Sequence, residues 1–431
     1  MHLARRAYLL VFLSAVLGIC AIWAQDTALE GLWRIPLALL LAGLALESLD
    51  VRRLRLRAHL ETAARAFLGR GQPAALLIAN PSARPVRIEY APAVPPGFEP
   101  LGAARTVSAP AHGAARDAFT LTPVRLGPQP WPKLPARVLG RLGLAWWSSV
   151  LEPAARLGVA PDTLRRVSGP RGFATGSRAR RVAGAGAELH QLRAYVRGDP
   201  LSRIDWKATA RSRTLVTREF SEDQHLDILV AVDAGRFSRV RAGRLDRFGV
   251  YANLAARFAE VATRNDDRIG LVVYADRVLA ECPPARGLDG TMRVRRTLER
   301  LTVRAAESDP SAAAIRIRGL LRHRSLIVLL TDLDDASIAG QLTRAVRLLA
   351  PPHLVVVAGA RAGDIEALTR RAAHGWQDPW VALAAAEHET HAALRRALLV
   401  RLGAPVVAAP AELLESAVFA EYEALRRARR V

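Results

Sequence analysis

Two aspartates end apolar runs in the second half of the chain, Asp233 after "LDILVAV" and Asp332 after "SLIVLLT". Apolar runs of this kind, alternating with helical patterns, read as strands of a parallel sheet covered on both faces, and ligands sit beyond the carboxyl ends of such strands. Both carboxylates would then face one crevice, so residues 233–238 and 331–335 are where chemistry is expected. Converging carboxylate and hydroxyl oxygens suit a hard cation such as Mg2+, which takes several of them in octahedral array. The competing role is structural, because an aspartate so placed caps a loop or a helix N-terminus.

The other reactive residues are less well arranged. His388 and His391, in "HETH", stand at i and i+3 rather than at the spacing of a zinc-protease helix, and read as a solvated helix face. Cys282 has no histidine near it in sequence and precedes Pro283 and Pro284, so nothing marks it as a nucleophile. "GAGAE", 184–188, neither follows a strand nor opens a helix, which excludes a dinucleotide loop. No catalytic residue is assigned, and the expectation is a protein that is not an enzyme.

The formal charge of +22 over 431 residues points at first to nucleic acid. Lys occurs only at 133 and 207, however, and the arginines run from Arg5 to Arg430, often at amphipathic-helix spacing. Nucleic-acid binding would concentrate them on one face with aromatic stacking or a known module, so no nucleic-acid partner is expected. Cys20 and Cys282 are the only cysteines, too few for a disulfide framework.

From Ala7 to Ala24 the chain runs 18 residues without a charge. That approaches the roughly 20 residues a helix needs to span hydrocarbon. A second apolar run, Leu32 to Leu49, is interrupted by Arg34 and Glu47 near its ends, positions from which side chains reach the interface. Arg5 and Arg6 precede the first run, Asp26 and Glu30 lie between the runs, and Arg52, Arg53, Arg55 and Arg57 follow the second. By the positive-inside rule residues 1–50 form a two-helix transmembrane hairpin in the inner (plasma) membrane, with the soluble domains cytoplasmic. A cleaved signal peptide is the rival, but Ile22-Trp23-Ala24 is a poor cleavage site.

Residues 51–128 read as short strands punctuated by Pro and Gly, the pattern of a small β-sandwich. Residues 129–190 are expected as a linker and amphipathic segment around Trp146 and Trp147. Residues 225–431 alternate strand and helix, and the fold class expected there is an α/β domain with a Rossmann-type parallel sheet.

Residues 191–224 hold the densest polar stretch, "YVRGDPLSRIDWKATAR", in which arginines, a lysine and two aspartates surround one tryptophan. Gly198-Asp199-Pro200 reads as a turn, and Asp205 is placed to cap a short helix from Trp206 to Arg213. "TLVTREF" is expected to return as a strand along an edge of the α/β sheet, burying Trp206 between turn and sheet. Arg193, Arg203 and Arg211 are then positioned to pair with Asp199, Asp205 and Glu219. Such a network is a structural clamp if buried and a docking surface if exposed.

The stretch Gly186 to Phe220 resembles the signature of the family called domain of unknown function 58 (DUF58). Glu188, Leu192, Arg193, Tyr195, Gly198, Asp199, Arg203, Ile204, Asp205, Trp206, Ala210, Arg211, Leu215, Val216 and Glu219 fall on it in order. The resemblance implies a membrane anchor, a β-rich region and a von Willebrand factor A-like α/β domain. It also implies work beside MoxR-type AAA+ ATPases and other membrane-anchored von Willebrand factor A proteins, as a scaffold in the assembly or maturation of protein complexes. Leu189 departs from the pattern, which has an aromatic there.

The adhesion site of von Willebrand factor A domains uses D-x-S-x-S, a later Thr and a later Asp. Here Gly235 and Phe237 fill both Ser positions, and Asp233, Ser238, Thr291 and Asp332 are the nearest match. The alternative function is therefore metal-dependent ligand binding at a degenerate site, with Mg2+ as the ion it would take.

Overall fold

A computed structural model of the chain describes residues 1–24, 31–153, 155–162, 182–184, 188–222, 226–301, 303–350, 352–361 and 363–427. The chain divides into two compact units: Met1–Asp162 with Glu299–Leu301, and Thr163–Leu298 with Thr302–Val431.

The first unit opens with a two-residue strand β1 (His2–Leu3) and helices α1 (Arg5–Ala24) and α2 (Arg34–Arg53). Strands β2 (Arg57–Thr62), β3 (Arg65–Phe67), β4 (Gln72–Asn80), β5 (Val86–Tyr90), β6 (Arg105–Ala109) and β7 (Gly113–Leu121) follow. The chain continues through β8 (Gly127–Pro130), β9 (Leu134–Leu139), β10 (Ala145–Leu151) and β11 (Arg156–Ala160). Alternation along β4, β5 and β9 turns Leu76, Ile78, Ile88, Tyr90, Leu134 and Val138 inward, and they form one core between the sheets β1-β10-β9-β5-β6 and β2-β4-β7. A third sheet, β3-β11-β8, completes the unit.

Two expectations need correction here. The first part of the segment expected as an amphipathic linker is sheet, since 134–160 supplies β9, β10 and β11; its residues 163–181 and 185–187 lie outside the described ones. "GRLG" in its middle is the hairpin turn, with Gly143 at a φ of 73° that favours glycine. The second apolar run does form a helix, but Glu47 does not reach outward. It is 1% exposed and accepts bonds from the N–H groups of Leu142 (2.8 Å), Leu144 (3.1 Å) and Ala145 (3.1 Å) and from the Trp147 indole (3.3 Å). Among the described residues, one helix, Arg5–Trp23, is long and apolar enough to cross a membrane.

The second unit begins with a separate antiparallel sheet of β12 (Val182–Gly184), β13 (Glu188–Ala194) and β14 (Val216–Glu222), with α3 (Trp206–Ser212) between β13 and β14. The α/β part then runs β15 (Asp227–Asp233), a small hairpin of β16 (Arg241–Ala242) and β17 (Leu245–Asp246), α4 (Arg247–Arg264), β18 (Arg268–Tyr274), β19 (Val278–Arg286) and α5 (Gly287–Glu299). It continues with α6 (Pro310–Leu320), β20 (Leu326–Leu330), α7 (Ala339–Leu349), β21 (Leu354–Arg361), α8 (Gly363–Arg370), α9 (Asp378–Arg401), β22 (Val406–Pro410) and α10 (Ala411–Arg427).

The six strands lie in the order β19-β18-β15-β20-β21-β22, all parallel except the edge strand β19. Numbered from β15, this is the order 3-2-1-4-5-6 of a doubly wound sheet, as expected of a von Willebrand factor A-like domain. β15 and β20 are buried along their length because helices cover both faces. The order reverses between β15 and β20, so the crevice at their carboxyl ends is the topological switch point.

Candidate functional site

Asp233, at the end of β15, and Thr331, just past β20, meet at that switch point. Asp233 is 2% exposed, and its Oδ2 accepts from the Thr331 hydroxyl at 2.8 Å. Its Oδ1 accepts from the Gly235 N–H at 2.8 Å and from the Ser308 hydroxyl. Burial pushes the Asp233 carboxyl above its ordinary value, and these donors oppose the shift without overcoming it. Ser238 is near, but its hydroxyl is spent on the Asp233 carbonyl at 2.9 Å. A Cβ at Gly235 would collide with the Ser308 hydroxyl, so no serine fits there in this arrangement.

Asp332 is engaged by a cation of the protein's own. The Arg247 guanidinium, at the first turn of α4, bonds Asp332 and lies 3.5 Å from Asp334. Asp332 Oδ1 also accepts from the Asp334 N–H at 2.9 Å. Thr291 is elsewhere: its hydroxyl lies 2.8 Å from that of Thr263 and donates to the Ala259 carbonyl at 3.1 Å. Ala259 is three turns along α4 from Arg247, roughly 18 Å at 1.5 Å per residue, so Thr291 belongs to the opposite end of the sheet.

The four residues expected to hold a metal are thus not one site. A divalent cation needs several oxygens aimed at one point. Asp233 is filled by hydroxyl and N–H donors, Asp332 by a guanidinium, and Gly235 and Phe237 offer no side-chain oxygen. The residues present do not fit the ion. Among the described residues no group of three or more His, Cys, Asp or Glu side chains is arranged for one either. Sequence reasoning missed Ser308 and Arg247; Thr331 lay inside the stretch singled out, next to Asp332.

The signature segment is better ordered than a loop. The Asp199 carboxylate takes two bonds from the Arg193 guanidinium, both 2.8 Å, and one from the Val196 N–H at 3.0 Å. The guanidinium foremost, then that N–H, hold Asp199 below the usual aspartate range. Gly198 has a φ of 111°, which only glycine adopts freely. Asp205 caps α3, accepting from the N–H groups of Lys207 and Ala208 at 3.0 Å each, and Arg218 Nε closes on its other oxygen at 3.0 Å. The Ala208 N–H first, then Arg218, hold Asp205 low as well.

Several expectations for this segment change. Arg218, outside the expected set, is the partner of Asp205; Arg203 is half-buried and Arg211 exposed, and the Glu219 side chain lies outside the described residues. Tyr195 contributes through its backbone, donating to the Leu215 carbonyl at 2.8 Å. β14 is the middle strand of its own sheet rather than an edge of the α/β sheet. Trp206 is not buried: it is 66% exposed, and Val196 and Leu201 on the same segment are exposed too.

The remaining candidates stay isolated. Cys282 is buried on β19, where burial pushes its thiol up and makes it a poor nucleophile. His388 is half-buried and His391 exposed on α9.

Comparison with known proteins matches residues 191–365 to the family described as protein of unknown function DUF58, so this stretch, from the signature through β21, is a DUF58 domain. Uncharacterized proteins of Mycobacterium tuberculosis and Mycobacterium bovis are each 22% identical over 153 residues, 35% of this chain and 48% of theirs. The match therefore spans about half the length of those relatives. Among solved structures, BatB from Bacteroides thetaiotaomicron is similar at 15% identity and a TM-score of 0.27, over 31% of this chain and 66% of that one. The CARDB domain of the PF1109 protein from Pyrococcus furiosus is similar at 12% identity and a TM-score of 0.17, over 25% and 88%.

Proposed function

We propose that the chain is a membrane-tethered, non-enzymatic scaffold whose signature segment docks a MoxR-type AAA+ ATPase during assembly or maturation of a protein complex. The observation that carries this reading is Trp206, 66% exposed on a helix that Asp205 caps and Arg218 braces. Tryptophan is enriched among the few residues that dominate interface energies. A frame already ordered by the Arg193–Asp199 and Arg218–Asp205 pairs has little entropy left to lose on binding. The network is thus both clamp and platform: its charges order the turn and the cap, and Val196, Leu201 and Trp206 are left exposed while Ile204 is buried. The ATPase, and other membrane-anchored von Willebrand factor A proteins as further partners, follow from the family resemblance.

The crevice supports the non-enzymatic half of the reading. Asp233 and Asp332 are engaged by Ser308, Thr331, Gly235 and Arg247, so neither of these two carboxylates is poised as a free base.

The anchor is a two-crossing hairpin in the inner membrane, with the soluble domains in the cytoplasm. β1 pairs with β10, His2 with Trp146 and Leu3 with Ala145, and β2 re-enters the same unit after α2. A chain that leaves the β domain at Leu3 and rejoins it at Arg57 crosses a bilayer an even number of times. Arg5, Arg6, Arg52 and Arg53 flank the hairpin on the β-domain side, which the positive-inside rule assigns to the cytoplasm.

Purification of the full chain in mild detergent should recover a MoxR-type ATPase, and a preparation that is clean of it counts against the docking reading. A reporter active only in the periplasm, fused after Val431, should be silent.

A further inference from the structure

The turn between β9 and β10 is tied to the anchor helices from both sides. Arg6 of α1 donates to the Leu142 carbonyl at 2.9 Å, and Ala4 N donates to the Leu144 carbonyl at 2.7 Å. From α2, Glu47 takes the N–H groups of Leu142, Leu144 and Ala145. Ala7, Leu40 and Leu144 form a small core of their own, and a Cβ on Gly43 or Gly140 would collide with Leu144 or Glu47. A turn facing water has no need of a buried carboxylate from another element to satisfy its N–H groups. A turn facing hydrocarbon does, because each unsatisfied backbone group there costs several kcal/mol.

We propose that the β9–β10 turn, residues 140–145, is itself a membrane element beside α1 and α2, with exposed Leu142 inserted at the boundary of the acyl chains and Arg141 and Arg6 at the headgroup level. The proposal rests on the reading of α1 and α2 as a membrane anchor. Three observations choose lipid as the occupant. Leu46 and Leu49 of α2 and Leu142 of the turn are 63%, 55% and 44% exposed, as Tyr8, Leu9 and Phe12 of α1 are exposed. Arg52 and Arg53, about 9 Å beyond Leu46 along α2, join exposed Arg5 and Arg141 in a basic band suited to anionic headgroups. Trp146 and Trp147 stand at the base of the turn, Trp146 with the Arg137 guanidinium 5.3 Å from its ring, as amphipathic residues do at a membrane interface.

The test is spin-label depth measurement on the full chain in nanodiscs of phosphatidylethanolamine and phosphatidylglycerol, in a background lacking Cys20 and Cys282. Labels go at Leu142→Cys, at Leu39→Cys on the exposed face of α2 and at Ser108→Cys on the far edge strand β6; all three positions are exposed. The expected result is a ratio of oxygen to nickel-chelate collisions at 142 that lies below that at 39, about 12 Å further along α2 from Glu47, and exceeds that at 108 several-fold. A label at 142 that behaves like 108 while 39 reports lipid overturns the proposal and leaves the anchor standing. Shielding of 142 from both reagents means that protein covers the turn, which overturns it too. If 39 also behaves like 108, the anchor reading itself has failed and the proposal falls with it.

Discussion

The guanidinium of Arg247 bonds the carboxylate of Asp332 where both side chains are almost closed to water, 5% and 7% exposed. A built-in cation thus answers the carboxylate that a metal site at this switch point would use. Removing one partner of a buried pair leaves the other charged and unsolvated, at a cost of about 3–5 kcal/mol. Arg247→Ala should therefore lower the melting temperature of the full chain in detergent by many degrees. Arg247→Ala with Asp332→Ala should recover part of the loss, because no unpaired charge then remains.

The same arrangement predicts indifference to divalent cations. Titration with millimolar Mg2+ or Mn2+ should give no saturable heat, and chelator should leave the melting temperature unchanged. Saturable binding abolished by Asp332→Asn would restore the metal-dependent reading.

The turn of the signature should loosen in acid. Asp199 sits below its ordinary 3.8, chiefly through the Arg193 bonds, so its contribution is complete above the unfolded value and is lost as pH falls through the lower folded one. A spin label at exposed Leu201 should give broad lines at neutral pH that sharpen only below pH about 3.8. Asp199→Asn should give the sharp spectrum at pH 7.

Loss of Glu47 should release the β9–β10 turn. Glu47→Ala removes the acceptor of two buried N–H groups, Leu144 and Ala145, and of the part-buried Leu142 N–H and Trp147 indole, at about 1–3 kcal/mol for each buried group left unmet. Melting should fall well beyond the effect of Glu47→Gln, whose amide oxygen still accepts.

What could be read from the sequence follows the range of the interactions. The α/β sheet was legible because its strands are continuous apolar runs, and the Asp205 cap because the N–H groups it accepts from lie two and three residues away. Glu47 was misread because its partners lie about 95 residues further on, beyond any local pattern. Thr291 was chosen by its order in the chain, whereas the hydroxyls that meet Asp233 come from Thr331, beside Asp332, and from Ser308. The exposure of Trp206 depends on which sheet receives β14, and nothing in "TLVTREF" distinguishes an edge of the large sheet from the centre of a small one. The two tryptophans at 146 and 147 concealed the strand they belong to, because adjacent aromatics blur an alternating pattern.

The most direct test of the scaffold reading is the affinity of purified wild-type chain and of Trp206→Ala for the MoxR-type ATPase, with melting recorded on the same samples. An exposed docking tryptophan predicts unchanged melting and binding weakened by about tenfold or more, the loss expected of a hot-spot residue. Equal affinities for the two proteins, or a Trp206→Ala chain that unfolds early, would contradict it.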